Sequence, residues 1–209
     1  MSEPKSWSTI FFEYGNYVIK ELELLEILKT ATQEDLEREY HLQIERGLFN
    51  GTPLHLAIIN SDKIVIEFLL NSVNVNAICY TYFRSDSVVF KAIKTGKFEF
   101  FPTTALNLAI DNGDINLIPI LLAHGADSNV QFSEMKITPF HWFCILNDSE
   151  PDNSDDILDF NNILDSFAIH GARADIDDIE GNTAVISVQK RGSVRLSNFL
   201  LHEKLKYHK

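Results

Sequence analysis

Four six-residue segments recur in order along this chain: Thr52-Pro-Leu-His-Leu-Ala57, Thr104-Ala-Leu-Asn-Leu-Ala109, Thr138-Pro-Phe-His-Trp-Phe143 and Thr183-Ala-Val-Ile-Ser-Val188. Each is followed, directly or after an insertion, by an apolar stretch with helical spacing, at 64–70, 115–125, 160–171 and 194–203. Similar turns then appear at 73–77, 125–130 and 171–176. The periodicity predicts helix pairs with one apolar stripe per helix, Leu106, Leu108 and Ala109 facing Leu117, Ile118, Leu121 and Leu122 in the second pair. One such pair cannot bury both of its sides. It needs a like neighbour, so the chain is expected to stack into a one-dimensional solenoid, with Leu56, Leu69, Leu108, Leu121, Phe167 and Leu200 along its core. Thr52, Thr104, Thr138 and Thr183 stand where a hydroxyl can cap a helix, and Pro53 and Pro139 follow in the first turn, where a missing N–H is harmless. Gly125 and Gly171 stand where the second helix must end in a left-handed residue.

These residues resemble the ankyrin repeats. The likeness is carried by the TPLHLA at 52–57, by Asn112-Gly113 before a second helix and by the HGAD of His124–Asp127, and Thr104 lies 21 residues ahead of Gly125 as in a repeat of about 33. It covers roughly residues 50–203 and is most specific in the second repeat. It implies an all-α ankyrin-repeat solenoid of about four repeats over 50–209, with a β-hairpin insertion and an N-terminal helical cap over 1–49. The cap is read from helical spacing at 14–28 and 32–45, which lacks the repeat signature. A sheet of more than three strands is not expected.

The register breaks twice. Thr52 to Thr104 is 52 residues and Thr138 to Thr183 is 45, against 34 from Thr104 to Thr138. The excess marks insertions at 78–102 and 147–158, and insertions in repeat proteins usually lie on the binding face. In the first, 88–94 and 97–101 read as two strands around Thr95-Gly96, an elongated hairpin tipped by Lys94 and Lys97. Seven aromatic residues lie there: Tyr80, Tyr82, Phe83, Phe90, Phe98, Phe100 and Phe101. A two-stranded ribbon cannot hide them all, so they either fold back on the helices or stand exposed as anchors. In the second, Asp148 to Asp159 has oxygen ligands in the outline of a calcium loop, but Asn153 replaces the turn glycine and Asp159 the bidentate glutamate. It is read as a solvated acidic loop, and no metal or cofactor is expected.

No catalytic group is expected either. His55 and His141 hold the histidine position of the repeated motif, where an imidazole is read as a bridge between turns; His124 and His170 precede the terminating glycines and are read alike. Cys144 is three residues from His141 on an apolar helix, which provides no cleft for a thiol–imidazole couple. Two cysteines make no disulfide framework and no zinc site. Thirty acidic against 18 basic residues leave a formal charge of −12, which disfavours nucleic acid and anionic membranes. No apolar run approaches the roughly 18 residues of a membrane span, and the first residues make a poor secretory signal, so a cytoplasmic setting is expected.

The resemblance implies a non-catalytic protein-binding module that uses its concave face. The family's variable contact positions fall on Asn60, Thr103, Asp111, Asn112, Asn182, Lys190 and Arg191, with apolar Ile137, Ile145 and Leu146 at the corresponding places of the third repeat. Tyr82, Phe83, Phe98 and Phe100 of the hairpin complete the expected protein-binding set. The acidic balance suits a protein partner with a basic surface, and a monomer is expected; the alternative is an oligomerising subunit that self-associates through the hairpin. The irregular repeats are similar in character to ankyrin proteins of intracellular bacteria and large DNA viruses. That likeness implies an effector that acts on host proteins in a host cytoplasm.

Overall fold

A computed structural model describes residues 5–45, 47–81, 101–132, 135–147, 154–193, 196–198 and 200. The chain divides into two compact units, Met1–Asn112 and Gly113–Lys209. In the first unit α1 (Trp7–Gly15), α2 (Glu21–Leu28) and α3 (Gln33–Glu37) precede a hairpin of β1 (Tyr40–Ile44) and β2 (Gly47–Gly51). The pair α4 (Pro53–Ile59) and α5 (Lys63–Leu70) follows, then β3 (Ile78–Thr81), β4 (Phe101–Thr104) and α6 (Ala105–Asp111). The second unit contains α7 (Leu117–Ala123), α8 (Pro139–Leu146), α9 (Ser154–Ile169) and α10 (Ala184–Arg191).

The four threonines of the repeated segments are all N-caps. Thr104 accepts from Asn107 N at 3.4 Å, Thr138 from His141 N at 3.1 Å and Thr183 from Ile186 N at 3.3 Å. Second helices end as the glycines foretell. Gly125 and Gly171 lie at φ +86° and +82°, and the next residues, Ala126 and Ala172, donate back to Leu121 O and Phe167 O. Leu56, Leu69 and Leu108 are buried in the first unit, and Leu121, Phe167 and Leu200 in the second.

Three features differ from expectation. The helical pattern read over 14–28 is broken, because Tyr17 takes left-handed backbone at φ 58°: α1 ends at Gly15, α2 begins at Glu21, and Tyr17, Val18 and Leu22 are exposed, so three helices and not two precede the first repeat. The helix expected over 32–45 stops at Glu37, and Tyr40–Ile44 is a strand with Tyr40, Leu42 and Ile44 buried and the residues between them exposed. The strands then assemble into one antiparallel sheet in the order β1-β2-β3-β4, one strand more than expected. It forms because two finger hairpins, β1–β2 and β3–β4, pair side by side through Phe49↔Thr81 and Asn50↔Tyr80. The hairpin expected over 88–101 lies outside the described residues apart from Phe101, which closes the β3–β4 ladder opposite Thr81.

The N-terminal helices carry the wiring of a repeat without its signature. Tyr17 and Ser61, 44 residues apart, both sit at φ 58° between paired helices. Val18 N donates to Glu13 O at 2.8 Å, and Asp62 N makes the matching bond to Ala57 O at 3.0 Å. One asparagine ladder joins the helix ends: Asn60 Nδ2 donates to Tyr14 O at 3.2 Å, and Asn112 Nδ2 to Ile58 O at 3.0 Å.

Candidate functional site

The motif histidines are braces. His55 is fully buried, with Nε2 3.0 Å from Ala77 O and Nδ1 2.8 Å from Thr52 Oγ1 and 3.3 Å from Thr52 N. A carbonyl only accepts, so Nε2 carries the proton; Nδ1 must then be the bare acceptor of Thr52 N–H and O–H. The neutral ring satisfies every partner, whereas a second proton on Nδ1 would face donors. Burial accordingly holds the His55 pKa down to about 4. His141 repeats the pattern, 2.9 Å from Thr138 Oγ1 and 3.3 Å from Asn182 O, and burial lowers its pKa also. His124 and His170 each hold the carbonyl four residues back, Ile120 O and Ser166 O, at 2.8 Å. Cys79 and Cys144 are both fully buried, which pushes their thiols far above the usual range and away from thiolate chemistry. Among the described residues, no group of three or more His, Cys, Asp or Glu side chains could hold a metal ion. The outline of a calcium loop, Asp148–Asp159, lies largely outside the described residues.

The expected contact residues are placed unevenly. Asn60 and Asn112 cap α4 and α6, and their amide N–H groups are committed to the helix-end ladder. Asp111 is half-buried beside Asn112. Lys190 and Arg191 are exposed on the last turn of α10, where Lys190 Nζ donates to Asn182 Oδ1 at 2.7 Å. Ile137, Ile145 and Leu146 are half-buried. Thr103 and Asn182 are 5% and 8% exposed, so their side chains are covered. Tyr82, Phe83, Phe98 and Phe100 lie outside the described residues.

The cover over Thr103 is the chain itself. One sheet face, with Tyr40, Leu42, Ile44, Phe49 and Cys79, is buried as Thr103 is, and it packs on helices. β1 runs along α1, with Phe11 and Tyr40 ring centroids 4.7 Å apart. At Gly15 the backbones come so close that a Cβ would stand 2.6 Å from Ile44 Cγ2 and 3.3 Å from Leu56 Cδ1. All seven residues of α4 are buried, with α5 and α6 as well as β2 packed against the helix. A second tie, unforeseen from the sequence, is Tyr14 Oη donating to Asp62 Oδ2 at 2.9 Å; burial first, and Asp62 next, raise the phenol's pKa. The spacing of Trp7, Ile10, Phe11 and Tyr14 behind Ser6, the N-cap of α1, was the available signal for this helix.

The opposite sheet face is open. A shallow groove of about 510 Å³ crosses it, lined among others by His41, Gln43, Leu48, Asn50 and Tyr80. Among the described residues no helix is long and apolar enough to cross a membrane.

No curated protein matches this chain. A family model described as ankyrin repeats (3 copies) matches residues 18–132, more than half of the chain, and it begins within the helices that lack the signature. With helix pairs that start at capping threonines, finger hairpins between them and histidine braces across them, the protein belongs to the ankyrin-repeat family, whose repeats generally serve as protein–protein interaction modules.

Proposed function

We propose that the chain is a non-catalytic binding module for a protein with a basic surface, and that it works as a monomer. The observation that carries this reading is how the polar chemistry is spent. The motif histidines and both thiols are buried within the structure, whereas the charged helix-end residues Asp111, Lys190 and Arg191 remain wholly or partly at the surface. In the first unit the contact set is Asn60, Asp111 and Asn112, and in the second it is Lys190 and Arg191. Tyr82, Phe83, Phe98 and Phe100 of the insertion supply aromatic anchors, and acidic residues steer the encounter. Thr103 belongs to the same proposed set, but it is 5% exposed in the free chain, on the covered face of the sheet. The irregular repeats support an effector role on host proteins in a cytoplasm.

The experiment replaces residues 82–100 with a short turn, which removes all four anchors and leaves the β3–β4 ladder from Ile78↔Thr104 to Thr81↔Phe101 intact. Folding is expected to persist, since repeats contact only their neighbours. Affinity for a partner captured from eukaryotic lysate is expected to fall at least tenfold, about 1.4 kcal/mol. Unchanged affinity would remove the insertion from the site, and collapse of the fold would show its aromatics to be core.

A further inference from the structure

We propose that the open face of the β1–β4 sheet is a second protein-contact surface, built to take an arginine or lysine side chain of a partner. The proposal rests on the chain's being a protein-binding module, but it lies on another surface. In the first unit the angle between sheet and helices is filled by the chain itself, through Gly15, Ile44 and Leu56. The sheet's free side is the opposite one. The strand register sets His41, Asn50, Tyr80 and Pro102 in one row across all four strands. Leu48 stands beside the row, opposite Gln43, and Ile78 lies two residues from Tyr80 on the same face. Leu48, Ile78 and Tyr80 are 48%, 45% and 38% exposed, an apolar content that a solvated sheet face does not need.

Three observations select the occupant. Asn50 lines the groove, yet its Oδ1 is shielded from water and has no donor, so an N–H group is what this position lacks. The terminal torsion of asparagine is soft, so the amide can reorient towards a donor that enters the groove. Tyr80, which lines the groove, can take a cation over its ring face, and Leu48 is a wall for an aliphatic stem. The charge also fits. The chain carries −12, exposed Glu39 and Glu45 flank β1, and Arg38 is already paired with Glu34. A side chain with an apolar stem and a cationic N–H head satisfies all three; an apolar one leaves Asn50 Oδ1 unpaired, a neutral polar one makes no use of the charge, and an acidic one meets like charge.

The test titrates the full chain, labelled for NMR, with a pentapeptide holding one central arginine between valines and glycines, and with its twin holding norleucine there. The arginine peptide is expected to shift the Leu48, Asn50 and Tyr80 resonances and to bind at least tenfold tighter than the twin. Asn50→Asp should tighten it several-fold, while Asn50→Leu and Tyr80→Ala should weaken it at least threefold. Equal binding of the twins, shifts confined to other residues, or weaker binding to Asn50→Asp would overturn the proposal. If a captured protein partner holds Tyr80→Ala as tightly as the parent while both peptides fail, the groove is excluded and the module reading stands.

Discussion

Alanine at Leu121 lowers the stability of the second unit by about 2–5 kcal/mol. Leu121 is fully buried in the stripe of α7 formed with Leu117, Ile118 and Leu122, and α7 packs against α9. Truncation removes three carbons, one methine and two methyl groups, from water-free contact and leaves a cavity whose walls are tied. Leu121 O accepts from His124 N at 3.1 Å and Ala126 N at 3.0 Å, so the helix end cannot close inward without breaking its cap. Urea unfolding followed by Trp142 fluorescence in a Trp7→Phe background measures the loss, since the chain has two tryptophans. A change below about 1 kcal/mol would place Leu121 outside the core.

The second large effect is a loss of stability in acid. The unfolded His55 takes up a proton near its ordinary pKa of 6.5, whereas the folded ring resists down to about 4. Between these values the unfolded state binds more protons, so stability rises with pH and is lost as pH falls from 6.5 towards 4. A shift of that size corresponds to about 3 kcal/mol. His141 is shifted in the same direction and adds to the loss in its own unit. Relief of the net negative charge opposes the effect on acidification, so the comparison is made against His55→Gln. The variant should be less stable than the parent at pH 7.5, and the gap should narrow by about 3 kcal/mol by pH 4. A gap constant across that window would mean that His55 titrates normally in the folded protein.

The repeats were legible because each signature residue has a local mechanical task. Threonine caps, proline occupies a first turn, and Gly125 and Gly171 take left-handed backbone, all within a few residues of sequence. The histidine could be assigned by position, but its partner carbonyls, Ala77 O and Asn182 O, lie 22 and 41 residues away. The N-terminal repeat was hidden for a physical reason. Phe11 stands 44 residues ahead of His55, at the motif's histidine position, and nothing marks Tyr17 as a left-handed turn residue, since a side chain there costs about 1–2 kcal/mol. The strand Tyr40–Ile44 resembles helix in the sequence because Leu36, Tyr40 and Ile44 recur every four residues, and a spacing of four satisfies a period of two equally well. Leu42 between them was the residue that distinguished the periods.

The candidate site was legible only as positions. Sequence places Asn60 and Asn112 at helix ends, where the family makes contacts, but it does not show that their amide N–H groups are held by Tyr14 O and Ile58 O. Nor does it show that Thr103 lies on the buried face of a four-stranded sheet, because that sheet depends on pairing between hairpins some 30 residues apart, through Asn50↔Tyr80. Non-local strand pairing has no signature in either strand alone.

Site-specific photo-crosslinking tests the central claim most directly. A benzophenone side chain is placed singly at Asp111 at the end of α6, at Lys190 on α10, and at Glu67 on the exposed side of α5. Protein binding through the ends of first helices predicts partner adducts from Asp111 and Lys190 and none from Glu67. Adducts from Glu67 alone would contradict it.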